Sequence, residues 1–127
     1  MHSPATQKLL WHAAGAKASD ATAAVEGAQA AFKSWRKTKP QEVRRIFLKA
    51  ADLMEERAEE FASYQIEETG APEGVVKGFM VPTATEIFRD VAGRVSSAVT
   101  GSMPPAAHGA AFIFKEPYGV NLGIAPW

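Results

Sequence analysis

The sequence predicts an α/β chain that is mostly helical, with three helices followed by two strands. Two patterns carry that prediction. In three separate stretches before residue 100, apolar residues recur at spacings of three and four, the period of a helix with one buried face. Composition then changes at Gly101, Pro104, Pro105 and Gly109, after which two short apolar runs flank Pro117-Tyr118-Gly119, the pattern of strands separated by a turn.

Residues 1–18 read as a loop that holds Pro4 and Gly15, with Leu9, Leu10 and Trp11 as a short extended segment. From Ser19, an N-cap candidate, the chain turns Ala-rich, and Val25, Ala28, Phe32 and Trp35 stack on one face of a first helix over 20–37. Thr38-Lys39-Pro40-Gln41 has the form of a capping box with proline in the first turn. A second helix follows, its stripe traced by Val43, Ile46, Phe47, Ala50, Leu53, Met54, Phe61 and Tyr64 and its other face rich in Glu. It runs to Thr69, where Gly70 offers the left-handed conformation that ends a helix and Pro72 prevents continuation.

Gly74, Gly78 and Pro82 make residues 73–82 a weak helix or an irregular link. Thr83-Ala84-Thr85-Glu86 has the form of another capping box, and Ala84, Ile87, Phe88, Val91, Val95 and Val99 give the stripe of a third helix over 83–98. AAFIFKEP and GVNLGIAP are the two expected strands. In the second, Val120, Leu122 and Ile124 alternate before Pro126 stops the run. Ligands of open α/β sheets bind outside the carboxyl ends of strands, which gives Ala125, Pro126 and Trp127 a chemically useful place. A sheet-core strand with no role in binding fits the same periodicity.

Composition excludes several classes. The 127 residues suit one domain, and 46% hydrophobic content is that of a globular protein. Fourteen basic and fourteen acidic side chains leave no net field for nucleic acid or an anionic membrane. Residues 1–39 carry six basic and two acidic groups and residues 40–69 four and eight, an asymmetry that patterned solvated helix faces explain. With no cysteine there is no disulfide, no thiolate metal site and no thiol nucleophile. His2, His12 and His108 lie far apart without the spacing of a metal site. No apolar run approaches the roughly 20 residues of a membrane helix and no signal peptide is evident, so a cytoplasmic location is expected.

Motifs for phosphate loops, dinucleotide fingerprints, zinc hydrolases and serine nucleophiles are absent. Glu55, Glu56, Glu59 and Glu60 lie opposite the apolar stripe and read as solvated surface rather than as an acid/base pair.

The final stretch carries a resemblance. FKEPYGVNLGIAPW resembles the E-P-x-G-V-x-x-x-I-x-P-W segment of the NAD(P)-dependent aldehyde dehydrogenase superfamily, and three upstream blocks agree in order. SPAT is similar to its N-P-x-T turn, DATAAVEGAQAAFKSW to its first helix, and RRIFLKAADLMEERAEEFASYQIEETGAP to its second, ending in E-x-G-x-P form. The style is that of salicylaldehyde and benzaldehyde dehydrogenases.

The resemblance implies that residues 1–127 are the amino-terminal part of a Rossmann-type NAD(P)-binding domain, with NAD or NADP as cofactor and an aldehyde, oxidised to a carboxylic acid, as substrate. It implies a cofactor groove lined by Ile124, Ala125, Pro126 and Trp127, and an oligomerisation arm beginning at residues 110–117, where a partner subunit engages. Catalysis in the family uses a cysteine thiolate, an Asn oxyanion donor directly after the Trp and a glutamate that activates water. No residue here matches any of the three, so no catalytic residue and no metal site is assigned. The expectation is a chain truncated before its catalytic residues and inactive alone. The alternative is a non-catalytic module that associates with full-length aldehyde dehydrogenase subunits or with itself. An autonomous NAD(P)-binding domain is disfavoured, because one core strand without parallel neighbours makes no crevice.

Overall fold

A computed structural model describes residues 1–125. The helices are α1 (Ala18–Trp35), α2 (Pro40–Glu56), α3 (Ala58–Thr69), the single turn α4 (Glu73–Val75), a π-helical segment (Val76–Met80) and α5 (Val81–Ala98). The expected helices are all present, with changed boundaries.

What holds the helices together is the contact of α2 with α5, much the most extensive between any two elements. Ala51 of α2 and Ala92 of α5 are fully buried, and Val76 and Thr85 are buried beside them. Small side chains let the two backbones approach, and Phe47 and Phe88 then meet with ring centroids 5.6 Å apart. Thr85 satisfies its own hydroxyl inside this contact by donating to the Val81 carbonyl at 3.2 Å.

The single second helix expected to Thr69 is two helices. At Arg57 the backbone leaves helical geometry (φ −108°, ψ 21°). Gly70 ends α3 in the left-handed conformation at φ 69°, as expected, and its amide donates to the Ile66 carbonyl at 2.9 Å. The amino-terminal turn docks at this end: a Cβ on Gly70 would lie 3.1 Å from Pro4 Cγ. Trp11 meets Tyr64 edge-on at 5.7 Å, and a lone antiparallel bridge joins His2 to Leu9.

Neither Thr38 nor Thr83 caps a helix. The N-cap of α2 is Lys39, with Pro40 at the first helical positions, while the Thr38 amide is still bonded to the Trp35 carbonyl at 2.9 Å in the turn that leaves α1. Thr83 lies inside α5, because the helix passes Pro82 without stopping. Proline lacks an N–H and crowds the carbonyl four residues back. The π-helical segment just before it widens the turn so that the Val81 amide reaches the Val76 carbonyl. Residues 73–82, read as a weak helix or a link, are therefore a continuous run of helix. Ser19 is likewise inside α1, whose N-cap is Lys17; Asp20 accepts the Lys17 amide at 2.7 Å.

The two expected strands do not form among the described residues. AAFIFKEP contributes only lone bridges, Ser102 with Ile113 and Pro105 with Ala110, and GVNLGIAP has no pairing within residues 118–125. A strand is stabilised by neighbours, and no element here offers a second ladder. The Ser102 and Ile113 amides each donate to the other's carbonyl, at 3.1 and 2.8 Å. That pair demands glycine at 101, where a Cβ would sit 2.2 Å from the Ile113 oxygen.

Because Ala92 is buried on α5, the helix that α2 contacts most extensively, Ala92→Leu is expected to destabilise the helix pair by about 1–3 kcal/mol. Urea unfolding followed by circular dichroism checks this; an unchanged midpoint would show that the α2–α5 contact is looser than described.

Candidate functional site

Two places bear on function, the carboxyl-terminal segment singled out by sequence and a hollow between the helices. In the first, Ile124 is 89% exposed and Ala125 is exposed. Pro126 and Trp127 lie outside the described residues. Upstream of them, Gly119, Val120 and Asn121 run beside Ala28, Phe32 and Trp35 of α1. Asn121 folds back on its own backbone, donating to the Gly119 carbonyl at 3.0 Å. No wall faces Ile124 and Ala125 among the described residues, so these two do not by themselves enclose a dinucleotide. Residues 110–117 carry exposed Phe112, Ile113 and Phe114, with Ile113 paired on one side only.

The hollow, of about 250 Å³, lies where the α2–α3 junction faces α5 and is lined by Glu55, Ala58, Glu59, Val81, Pro82 and Thr85, with Lys77, Glu86 and Arg89 around them. Arg89 donates to Glu55 across the seam and to Glu86 one turn back at 2.8 Å, with Asp52 3.7 Å away. Lys77 bridges Glu59 at 2.7 Å and Glu73 at 2.9 Å. Hydrogen bonds donated to Glu55 and then Glu86 hold the Arg89 guanidinium well above its ordinary pKa, and those donated to Glu59 and Glu73 do the same for Lys77. A lysine so stabilised as a cation is no general base at neutral pH. The hollow is thus an ion-paired seam with an apolar floor, without a nucleophile.

Sequence had assigned Glu55, Glu59 and Glu60 to solvent, and they are exposed. It missed what they hold. Glu60 with Arg57 is an i, i+3 pair that spacing alone could have suggested, at 2.8 Å. The Glu55–Arg89 and Glu59–Lys77 pairs join elements distant in sequence, and no local pattern marks them. Among the described residues no three His, Asp or Glu side chains cluster as a metal site. No helix there is long and apolar enough to cross a membrane.

With this geometry in view, comparison with known proteins is decisive. The model of the aldehyde dehydrogenase family matches residues 1–127. The chain belongs to the aldehyde dehydrogenase family. It is 40% identical over 126 residues to the vanillin dehydrogenase of Pseudomonas sp. (strain HR199 / DSM 7063), covering 98% of this chain and 26% of that one. Its fold is similar to that of a salicylaldehyde dehydrogenase from Pseudomonas putida G7 complexed with salicylaldehyde, with a TM-score of 0.83 and 28% identity over 91% of this chain and 24% of the other. An NAD-dependent benzaldehyde dehydrogenase from Corynebacterium glutamicum gives a TM-score of 0.77 and 26% identity over 84% of this chain and 22% of the other. The aldehyde dehydrogenase chain thus spans about a quarter of the length of the curated relatives it matches. The resemblance read from four ordered sequence blocks, including its salicylaldehyde and benzaldehyde style, agrees with these findings.

The ion pairs have a pH signature. Arg57 and Arg45 hydrogen-bond Glu60 and Glu42 and hold both carboxyls below their ordinary pKa. Their stabilisation is therefore full above the ordinary carboxylate pKa and lost as pH falls through the depressed values. Lys77 and Arg89, raised instead, contribute below their ordinary pKa and lose that only in strong alkali. Helical circular dichroism should be flat across neutral pH and decline on the acid side, with Glu60→Gln reducing the decline; a loss of helix beginning between neutral pH and mild alkali would contradict the assignment.

Proposed function

We propose that this chain supplies the amino-terminal part of the cofactor-binding domain of an NAD(P)-linked dehydrogenase that oxidises an aromatic aldehyde to its acid. The observation that carries the reading is the family match across residues 1–127, joined to relatives named for vanillin, salicylaldehyde and benzaldehyde. Within that reading Ile124, Ala125, Pro126 and Trp127 form one wall of the cofactor groove, and residues 110–117 begin the oligomerisation arm.

The chain's own contribution is positional. It has no cysteine to attack the aldehyde, and Lys77 is held as a cation by Glu59 and Glu73 at the exposed seam. The described part of the groove has one side, and a dinucleotide needs the crevice between neighbouring strand ends. The 127 residues alone are therefore inactive and do not hold the cofactor. When the groove is completed by further strands, the bound nicotinamide supplies hydride acceptance, and Ile124 with its neighbours supplies an apolar wall that excludes water.

A second reading is a non-catalytic module that pairs with aldehyde dehydrogenase subunits or with itself through residues 110–117. Exposed Phe112 and Phe114 beside a half-paired Ile113 favour it.

Calorimetric titration of the 127-residue chain with NAD is expected to show no saturable binding; a micromolar dissociation constant would overturn the one-wall view. Replacing the matching quarter of the vanillin dehydrogenase with this chain tests the positive claim. The chimera should reduce NAD with vanillin, and Ile124→Asp within it should raise KM for NAD roughly tenfold, which is a loss of about 1.4 kcal/mol of binding. A folded but inactive chimera, or an Ile124→Asp variant with unchanged KM, would count against the assignment.

A further inference from the structure

We propose that the carboxyl end of α1 carries a binding site for a monocyclic aromatic carboxylate, formed together with the end of α5 and residues 115–117. The site does not depend on the aldehyde reading; under that reading the acid formed is a ligand of the same class.

The hollow there has a volume of about 270 Å³, and Phe32, Trp35, Val99 and Pro117 give it an apolar lining. Trp35 is 49% and Val99 57% exposed. The charged part of the lining is Arg36, Lys115 and Glu116. The Arg36 guanidinium stands over the Phe32 ring at 5.3 Å, which sets a forked donor at the edge of an aromatic surface. Among the described residues neither Arg36 nor Lys115 has a carboxylate partner, whereas Lys77 and Arg89 in the other hollow are each held by two or more. Residues 33–39 add Lys33, Lys37 and Lys39 and no acid. Cations at a helix carboxyl end answer its dipole, which accounts for Lys33 and Arg36. It does not account for Lys115, which reaches the same hollow from a distant segment.

Charge and size together select the ligand. Two cations against Glu116 alone leave the lining net positive, which favours an anion over a neutral or cationic ligand. A small inorganic anion leaves the apolar lining unfilled, and the sites of drug-sized ligands begin at about 300 Å³. One aromatic ring bearing one carboxylate meets both conditions, with the ring against Trp35 and Phe32 and the carboxylate toward Arg36 and Lys115.

Benzoate is the probe, titrated into the 127-residue chain at low salt and followed by the tryptophan indole N–H signals in NMR, with the Trp35 signal identified by its loss in Trp35→Phe. The expected result is a saturable shift of the Trp35 signal with a dissociation constant on the order of a millimolar. The Trp11 signal should stay in place, since that ring lies against Tyr64. Arg36→Gln with Lys115→Gln should weaken binding about fivefold, and Glu116→Gln, which removes the one anion of the lining, should tighten it. Circular dichroism checks that each variant keeps its helix; should the double variant lose it, Lys115→Gln alone, outside every helix, is scored in its place with a weakening of about twofold. Benzamide has the shape without the charge and acetate the charge without the ring, and each should bind at least roughly fivefold more weakly than benzoate. No saturable shift, equal binding of benzamide or acetate, a shift shared by Trp11, or an affinity indifferent to the charge substitutions overturns the proposal. So does a chain that sediments as a dimer and whose Trp35 signal moves with protein concentration alone, since a second copy then fills the hollow.

Discussion

Everything else in the structure depends on the close approach of α2 and α5 through alanine. Ala51 of α2 and Ala92 of α5 are buried, and α2 and α5 make the most extensive contact of any two elements. That approach fixes the rotation of both helices about their axes. With the alanine-bearing faces turned inward, Phe47 meets Phe88 and Arg89 emerges on the side of Glu55. The ion pairs are consequences of the packing rather than its cause, because pairs this exposed are weakened by water and salt.

The same rotation leaves apolar side chains of both helices exposed. A helix stripe wider than its contact has a remainder. The carboxyl-terminal segment has the same deficiency in another form. Its alternating residues are patterned for a sheet, yet Ile113 has one partner and residues 118–125 have none. Strand patterning in a segment without a ladder and helix stripes wider than their contacts both leave apolar pattern uncovered among the described residues.

Sequence showed what is local. Gly70 was legible as a stop because a left-handed residue there favours glycine over every alternative, and Pro72 follows it. The break at Arg57 was not, for a geometric reason: Ala51 and Ala62, both buried, are eleven residues apart. Three helical turns take about 10.8 residues, so the stripe stays in phase across the break and periodicity carries no mark of it. The capping patterns at Thr38 and Thr83 misled because a four-residue pattern records nothing of what precedes it. Thr38 is still engaged in the exit from α1, and Thr83 follows a π-helical turn that lets helix continue through proline. Of the candidate site, Ile124 and Ala125 could be placed in order but not in space, because a groove is made by non-local neighbours.

The chemistry of the site follows from that last point. A hollow exists within the described residues, and its cations are fixed by carboxylates that raise their pKa, which removes them as bases or nucleophiles at neutral pH. The segment named by the family pattern has the complementary character: between Tyr118 and Ala125 it carries no titrating group, only small and apolar residues and the amide of Asn121. Chemistry and shape are thus divided in this chain. The charged groups of that hollow are engaged in ion pairs that follow from the helix packing, and the carboxyl-terminal segment has no reactive group.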